Sequence, residues 1–303
     1  MLELRDVSRS FGDLKALDGV SFNVEPGRLT GFVGANGAGK TTAMRIIMGV
    51  LTPDAGEVLF DGAPATRAVR ARFGYMPEER GLYPKMGVRE QLVYFARLHG
   101  LTAEAAARNA DDLLERLGLA ARGGDRVEKL SLGNQQRAQI AAALVPDPEA
   151  LILDEPFSGL DPMAVDVVMA VLRDFAARGA PILFSSHQLD VVERITDELV
   201  VIGAGSIKAA GSTAALREAH AGSRYRLATP LADDSVWLAA LPGVAEVRAG
   251  AGAEGTASGG GVMFEASPET AQEVLRLAAA RGPVEEFGRV IPPLSEVFKE
   301  VVA

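Results

Sequence analysis

The chain has 303 residues, 48% of them hydrophobic and 23% charged, which suits one large or two modest domains with a real core. Its formal net charge of −9 gives a nucleic-acid partner no electrostatic support. It has no cysteine, which excludes disulfides and thiolate metal sites and is compatible with a cytoplasmic home. No run approaches the roughly 18 apolar residues of a spanning helix, and Met1-Leu2-Glu3-Leu4-Arg5-Asp6 has no signal-peptide character. A membrane role is therefore expected only through a partner.

Residues 1–23 read as β-rich. Leu2, Leu4 and Val7 alternate with polar residues, Val20-Ser21-Phe22-Asn23-Val24 alternates again, and Phe11-Gly12 lies between. Pro26-Gly27 is a turn. Leu29, Gly31, Phe32 and Val33 then form an apolar strand, and Thr42 to Met48 have helical spacing. Between them Gly34-Ala35-Asn36-Gly37-Ala38-Gly39-Lys40-Thr41 reads G-x-x-x-x-G-K-T. Glycines there let the backbone wrap an anion and aim N–H groups inward, and the following helix adds its dipole. Lys40 can reach the β- and γ-phosphates, and the Thr41 hydroxyl can ligate Mg²⁺. The expected nucleotide contacts are Gly34, Asn36, Gly37, Ala38, Gly39, Lys40, Thr41 and Thr42. The bland alternative is a plain Gly-rich turn.

Thr52 to Gly56 is loop, and Glu57 to Phe60 a strand closed by Asp61-Gly62. Phe73 to Pro84 is a strand running into a long turn. Helical spacing covers Val88 to Leu119, and a further helix follows Leu130 and stops before Pro146; together they read as an inserted helical subdomain over about 88–145. Ala150-Leu151-Ile152-Leu153 is an apolar strand ending in Asp154-Glu155. Met163 to Ala177 is a helix, Pro181 to Ser186 a buried strand followed by His187, and Leu199 to Ile202 another strand. Strands alternating with helices imply a doubly wound α/β sheet.

After Ser223 the texture changes. The order strand, helix, strand, strand, helix, strand runs through Arg224, Val236, Val244, Val262, Pro268 and Val284, which is a ferredoxin-like α+β arrangement. Ala249 to Gly261, nearly all Gly, Ala and Ser, reads as a mobile hairpin loop. The expected small core is Val244, Val262, Phe264, Val274, Leu275 and Phe287. A closing helix from Leu294 to Val301 carries an apolar stripe. The expected domains are 1–222 and 223–303, the second without part in the chemistry.

Asp154 at a strand end can hold Mg²⁺ through water, and Glu155 is placed to polarise an attacking water. Here the chain resembles the nucleotide-binding subunits of ATP-binding cassette (ABC) transporters over roughly its first 220 residues. Leu130-Ser131-Leu132-Gly133-Asn134-Gln135-Gln136-Arg137 is similar to the family signature L-S-G-G-Q-x-Q-R, departing at Leu132 and Asn134. The resemblance implies a P-loop NTPase fold that hydrolyses ATP with Mg²⁺. It also implies that Ser131, Gly133 and Asn134 face the P-loop of a second subunit, so that two subunits sandwich two ATP molecules. Taken alone, Ser131 reads equally as an ordinary helix N-cap and as the hydroxyl of a second anion site at a helix N-terminus. Ser158-Gly159-Leu160-Asp161-Pro162 resembles the family's D-loop, which makes Asp161 a dimer contact. His187 resembles the switch histidine that bonds the γ-phosphate, and Phe11 the aromatic that stacks on adenine.

The family usually has Gln after the Pro that here is Pro77, where it ligates Mg²⁺ and senses the membrane partner; this chain has Glu78. The run P-E-E-R-G-L-Y-P-K-M, the N-Q-Q signature and Pro293-Leu294-Ser295-Glu296-Val297-Phe298 resemble a sodium-export and drug-export branch. Implied partners are a second copy or homologous ATPase subunit and a separate transmembrane permease, with the chain peripheral on the inner face of the membrane. A soluble cassette ATPase acting on ribosomes or DNA is the rival; such chains carry two cassettes or a coiled-coil insertion, and this one shows neither. A non-catalytic regulatory subunit is disfavoured because Lys40, Asp154, Glu155 and His187 are all present.

Overall fold

The computed structural model describes residues 1–79, 81–230, 234–249 and 261–302. The hairpin expected over Ala249 to Gly261 therefore lies largely outside the described residues. Strands β1 (Leu2–Phe11) and β2 (Leu14–Val24) form a hairpin, Phe11 pairing with Leu14. β3 (Leu29–Val33) leads into α1 (Lys40–Ile47). β4 (Ala55–Phe60) turns into the short β5 (Ala63–Pro64), and the single turn α2 (Arg67–Arg70) precedes β6 (Phe73–Met76). Three helices follow, α3 (Val88–Leu98), α4 (Ala103–Arg116) and α5 (Leu132–Leu144). The chain then alternates through β7 (Ala150–Leu153), α6 (Pro162–Ala177), β8 (Ile182–Ser186), α7 (Leu189–Ile195), β9 (Glu198–Gly203) and β10 (Ser206–Ser212) to α8 (Thr213–Ala219).

These elements build two sheets. One is antiparallel in the order β2-β1-β4-β5. The other runs β10-β9-β3-β8-β7-β6, parallel except for the edge strand β10. Every residue of β3, β7 and β8 is buried, as a parallel sheet covered on both faces requires. Leu4, Val20 and Phe22 of the antiparallel sheet share one core with Phe32 and Ile152 of the parallel sheet and with Met44 and Ile46 of α1. The rings of Phe22 and Phe32 lie 5.1 Å apart. Because parallel strands need crossovers, the loops after β3, β6, β7 and β8 all emerge at the same edge of the sheet. That edge carries Gly34 to Gly39, Glu78, Asp154-Glu155 and His187.

The second unit contains α8 from Ala214 onward, β11 (Arg224–Ala228), α9 (Asp234–Ala239), β12 (Val244–Ala249), β13 (Val262–Ala266), α10 (Pro268–Arg281), β14 (Glu286–Arg289) and the start of α11 (Leu294–Val302). Its sheet order is β12-β13-β11-β14, all antiparallel, the arrangement expected of a split βαβ fold. Leu227, Leu238, Phe264 and Val274 are its buried centre; Val244 and Phe287 pack at the margin. Leu275 does not join this core. It is only half-buried, because α10 turns Ala271, Val274 and Ala278 to the sheet instead.

The units divide between Thr213 and Ala214, ahead of the boundary expected at 222/223. The side chains explain the shift. Arg217 Nε donates to the Pro292 carbonyl, and Arg289 donates to the Gly222 carbonyl and pairs with Glu218. The segment after Thr213 is thus tied to the second unit, while the chain from Phe298 groups with the first.

Candidate active site

The loop after β3 is shaped by close backbone approach. A Cβ on Gly34 would stand 2.5 Å from the Ile202 carbonyl oxygen, and one on Gly39 would stand 2.6 Å from that of Ala16. Gly39 also has φ 110°, a conformation that L side chains rarely adopt. It is the N-cap of α1, and no side chain caps that helix. The first-turn N–H groups are therefore left for an anion, and no acid sits in the first turn to oppose one. Lys40 is buried, and its Nζ donates to the carbonyls of Gly34 at 2.6 Å and Ala35 at 3.2 Å.

A cleft of about 500 Å³ opens over this loop. Phe11, Asn36, Lys40, Thr41, Glu78 and Glu155 are among its lining residues, as are Gly37, Gly39, Thr42 and Asp154. The Phe11 ring is exposed, with the Arg9 guanidinium 5.0 Å from its centroid. Gly34 and Ala38 lie beneath the lining; Ala38 is in the buried core. Glu78 is exposed.

Asp154 and Glu155 are both buried at the end of β7. Glu155 has φ 53°, a left-handed backbone uncommon for a side chain of this size. Ser185 of β8 holds the pair: its hydroxyl donates to Asp154 Oδ1 at 2.5 Å and accepts the Glu155 N–H at 2.9 Å. Asp154 Oδ2 is buried with no hydrogen-bond partner. An orphan acceptor on a buried carboxylate is what a metal-bound water would satisfy, and the Thr41 hydroxyl lines the same cleft. No group of three or more acidic or histidine side chains that could cage a metal occurs among the described residues. This fits Mg²⁺, which keeps waters and phosphate oxygens as ligands. Burial pushes the half-buried Tyr75 phenol up, and the negative charge of Asp154 adds to the shift. His187 Nδ1 sits 2.9 Å from Glu155 Oε2.

Ser131, Gly133, Asn134 and Asp161 are not brought to this cleft. They cluster elsewhere: an added Cβ on Gly133 would meet the Gly159 carbonyl at 3.5 Å. Ser131 caps α5, accepting the Asn134 N–H, and Asp161 caps α6, accepting the Ala164 N–H at 2.8 Å. Asn134 Oδ1 accepts from Arg137. His99 and His220 are satisfied by main-chain carbonyls of Ala71 and Leu216.

Sequence reasoning missed three buried polar residues at the site. Ser185 is one; Gln136 and Gln139 of α5 are the others. A hydroxyl closing the apolar run Ile182-Leu183-Phe184 within a buried strand was the available signal for the first. For the glutamines the signal was weaker, two amides spaced i, i+3 inside a helix that is otherwise apolar on that face.

A model for ABC transporter domains matches residues 17–158, and one for the C-terminal domain of DrrA1-3-like ATP-binding proteins matches residues 211–302. The chain is 35% identical to an uncharacterized ABC transporter ATP-binding protein, YhaQ, of Bacillus subtilis, over 100% of this chain and 98% of the relative. It is 40% identical to the Nod factor export ATP-binding protein I of Paraburkholderia xenovorans, over 71% of this chain and 72% of that protein. Among solved structures, an ATP-binding subunit of an ABC transporter superposes with a TM-score of 0.67 at 32% identity, covering 73% of this chain and 93% of its own. A dimeric bacterial ABC transporter cassette, MJ0796, shares the fold at a TM-score of 0.65, covering 70% of this chain and 99% of its own.

Proposed function

The chain belongs to the ATP-binding subunits of ABC transporters, and we propose that it powers export of a small solute or ion through a separate membrane-spanning permease. It is a Mg²⁺-dependent ATPase. Subunits of this family dimerise and work with transmembrane components. Export is supported by the Nod factor export relatives. A separate permease is supported by the lack, among the described residues, of any helix long and apolar enough to cross a membrane. We place the chain on the inner membrane face, paired with a second copy or a homologous ATPase subunit. The relatives carry transporter names, which does not favour action on ribosomes or DNA.

The proposed chemistry is in-line attack of water on the γ-phosphate: the new P–O bond forms as the bond to the β–γ bridging oxygen breaks, and ADP and phosphate are the products. Glu155 orients the water and draws on its proton; its left-handed backbone aims the carboxylate, and His187 at 2.9 Å steadies it. Lys40 and the uncapped first turn of α1 bind the β- and γ-phosphates, and Phe11 stacks on the adenine. Mg²⁺, when bound, neutralises charge on the phosphate oxygens. Thr41, Glu78 and, through water, Asp154 would hold it. Ser131, Gly133, Asn134 and Asp161 would complete the site of the second subunit, since they do not reach the cleft of their own chain.

The observation that carries this reading is Glu155, buried and conformationally strained, with His187 against it at the mouth of an anion-ready loop. Glu155→Gln should keep ATP bound and lock a stable dimer by size-exclusion chromatography. A variant that stays monomeric in saturating ATP, or hydrolyses at the parental rate, refutes the role. Co-purification of the tagged chain with the membrane protein of a neighbouring reading frame tests the export half of the proposal.

A further inference from the structure

We propose that Gln136 and Gln139 are positioning residues, through which α5 grips the backbones of the two loops carrying Glu155 and Glu78. Both glutamines are almost wholly buried, at 6% and 4% exposure, among Ala138, Ile140, Ala141 and Ala143. Such amides cost free energy unless their donors are used. Each uses its amide nitrogen in the same way, donating to two loop carbonyls. Gln136 Nε2 donates to Glu155 O at 2.9 Å and Pro156 O at 3.0 Å. Gln139 Nε2 donates to Pro77 O at 2.7 Å and Glu79 O at 3.3 Å.

The carbonyls gripped by Gln139 lie on either side of Glu78. Those gripped by Gln136 are of Glu155 itself and the next residue. The two loops are neighbours, because β6 and β7 pair in register and the Asp154 N–H donates to the Met76 carbonyl at 2.8 Å. The Glu155 peptide is thus held at both ends, its N–H by Ser185 and its carbonyl by Gln136. Spacing i, i+3 sets both amides on one face of α5. The same helix begins at the Ser131 N-cap. One rigid element therefore connects the turn proposed to meet the second subunit with both acid-bearing loops of its own subunit. The functional consequences rest on the roles proposed above for Glu78 and Glu155; the grip itself does not.

The test uses the full chain and the variants Gln136→Leu and Gln139→Leu, which keep volume and remove the donors. Amide hydrogen exchange is measured first, without nucleotide or metal. Gln139→Leu should speed exchange about tenfold in Phe73–Glu79 and leave Glu155–Ser158 unchanged, and Gln136→Leu should do the reverse. Steady-state ATPase follows. Gln139→Leu should raise the half-saturating Mg²⁺ concentration about tenfold while kcat at saturating Mg²⁺ stays within about twofold. Gln136→Leu should lower kcat about tenfold with the Mg²⁺ requirement unchanged. Local exchange changes with unaltered kinetics uphold the grip and refute the metal and water roles of the two acids. Unchanged exchange in both loops, or a uniform increase across the whole first unit, overturns the proposal. If a leucine variant aggregates, Gln→Met at the same position replaces it, with the same outcomes.

Discussion

Ser185→Ala tests how the acid pair is held. Ser185 is fully buried, and its hydroxyl makes two hydrogen bonds, one to a carboxylate oxygen and one from the Glu155 N–H. The charge-assisted bond contributes about 1.5–3 kcal/mol, and a buried N–H left unsatisfied costs about 1–3 kcal/mol. Water entering the small space recovers part of this, so a net loss of about 3 kcal/mol is expected. Asp154 Oδ2 has no partner to compensate. For a unit of this size the loss lowers Tm by about 6–12 °C. The assay is urea unfolding followed by far-UV circular dichroism, in EDTA and without nucleotide, run as a double-mutant cycle with Asp154→Asn. The coupling between the two substitutions should be about 1.5–3 kcal/mol, the share of the charge-assisted bond. A loss under about 0.5 kcal/mol, or one of equal size in the Asp154→Asn background, would falsify the argument that Ser185 stabilises a buried charge.

Lys40→Ala should weaken ATP binding at least tenfold by calorimetry, because it removes one charge-assisted contact and also the tether from Nζ to the carbonyls of Gly34 and Ala35. Unchanged affinity would contradict the phosphate-cradle reading. Glu78→Gln should reduce the dependence of loop ordering on Mg²⁺, since the loop then needs no metal to offset like charges near the γ-phosphate; identical Mg²⁺ titrations of the two proteins would mean that Glu78 serves solvent alone. Gly34→Ala should abolish nucleotide binding or folding of the first unit, because its Cβ meets main chain, not a movable side-chain tip. Retained affinity with parental stability would show that β9 yields at Ile202.

Much of the site was legible because its chemistry is local in sequence. Gly34 to Thr42 spell out loop, cation and hydroxyl in one stretch, and an apolar strand ending in Asp154-Glu155 announces buried acids. His187 follows the same logic one strand over. What was not legible depended on pairing across the sheet. Nothing near Ser185 says that β8 lies beside β7, and nothing near Gln139 says that α5 passes over the loop after β6. Short elements were missed for another reason. α2 is one turn, and β10 carries a single large apolar side chain, Ile207, so neither has a periodicity to read. In the second unit the order of elements was plain, while the core was misjudged at Leu275, where helical phase decided which face turned inward.

The placement of β3 at the centre of the parallel sheet also orders the birth of the protein. Its partners are β8 and β9, Leu29 pairing with Ile182 and Val33 with Val201. The β1–β2 hairpin joins partners adjacent in sequence, Phe11 with Leu14, but β3 emerges from the ribosome with neither neighbour made. At about 5–20 residues per second, translation leaves it waiting on the order of ten to thirty seconds. Throughout that interval Gly34 lacks the Ile202 main chain that packs against it. An apolar strand waiting for such distant partners is an aggregation hazard. Slow codons or a bound chaperone would matter most between β3 and β8, and a chain truncated before β9 would leave one of the two edges of β3 unpaired.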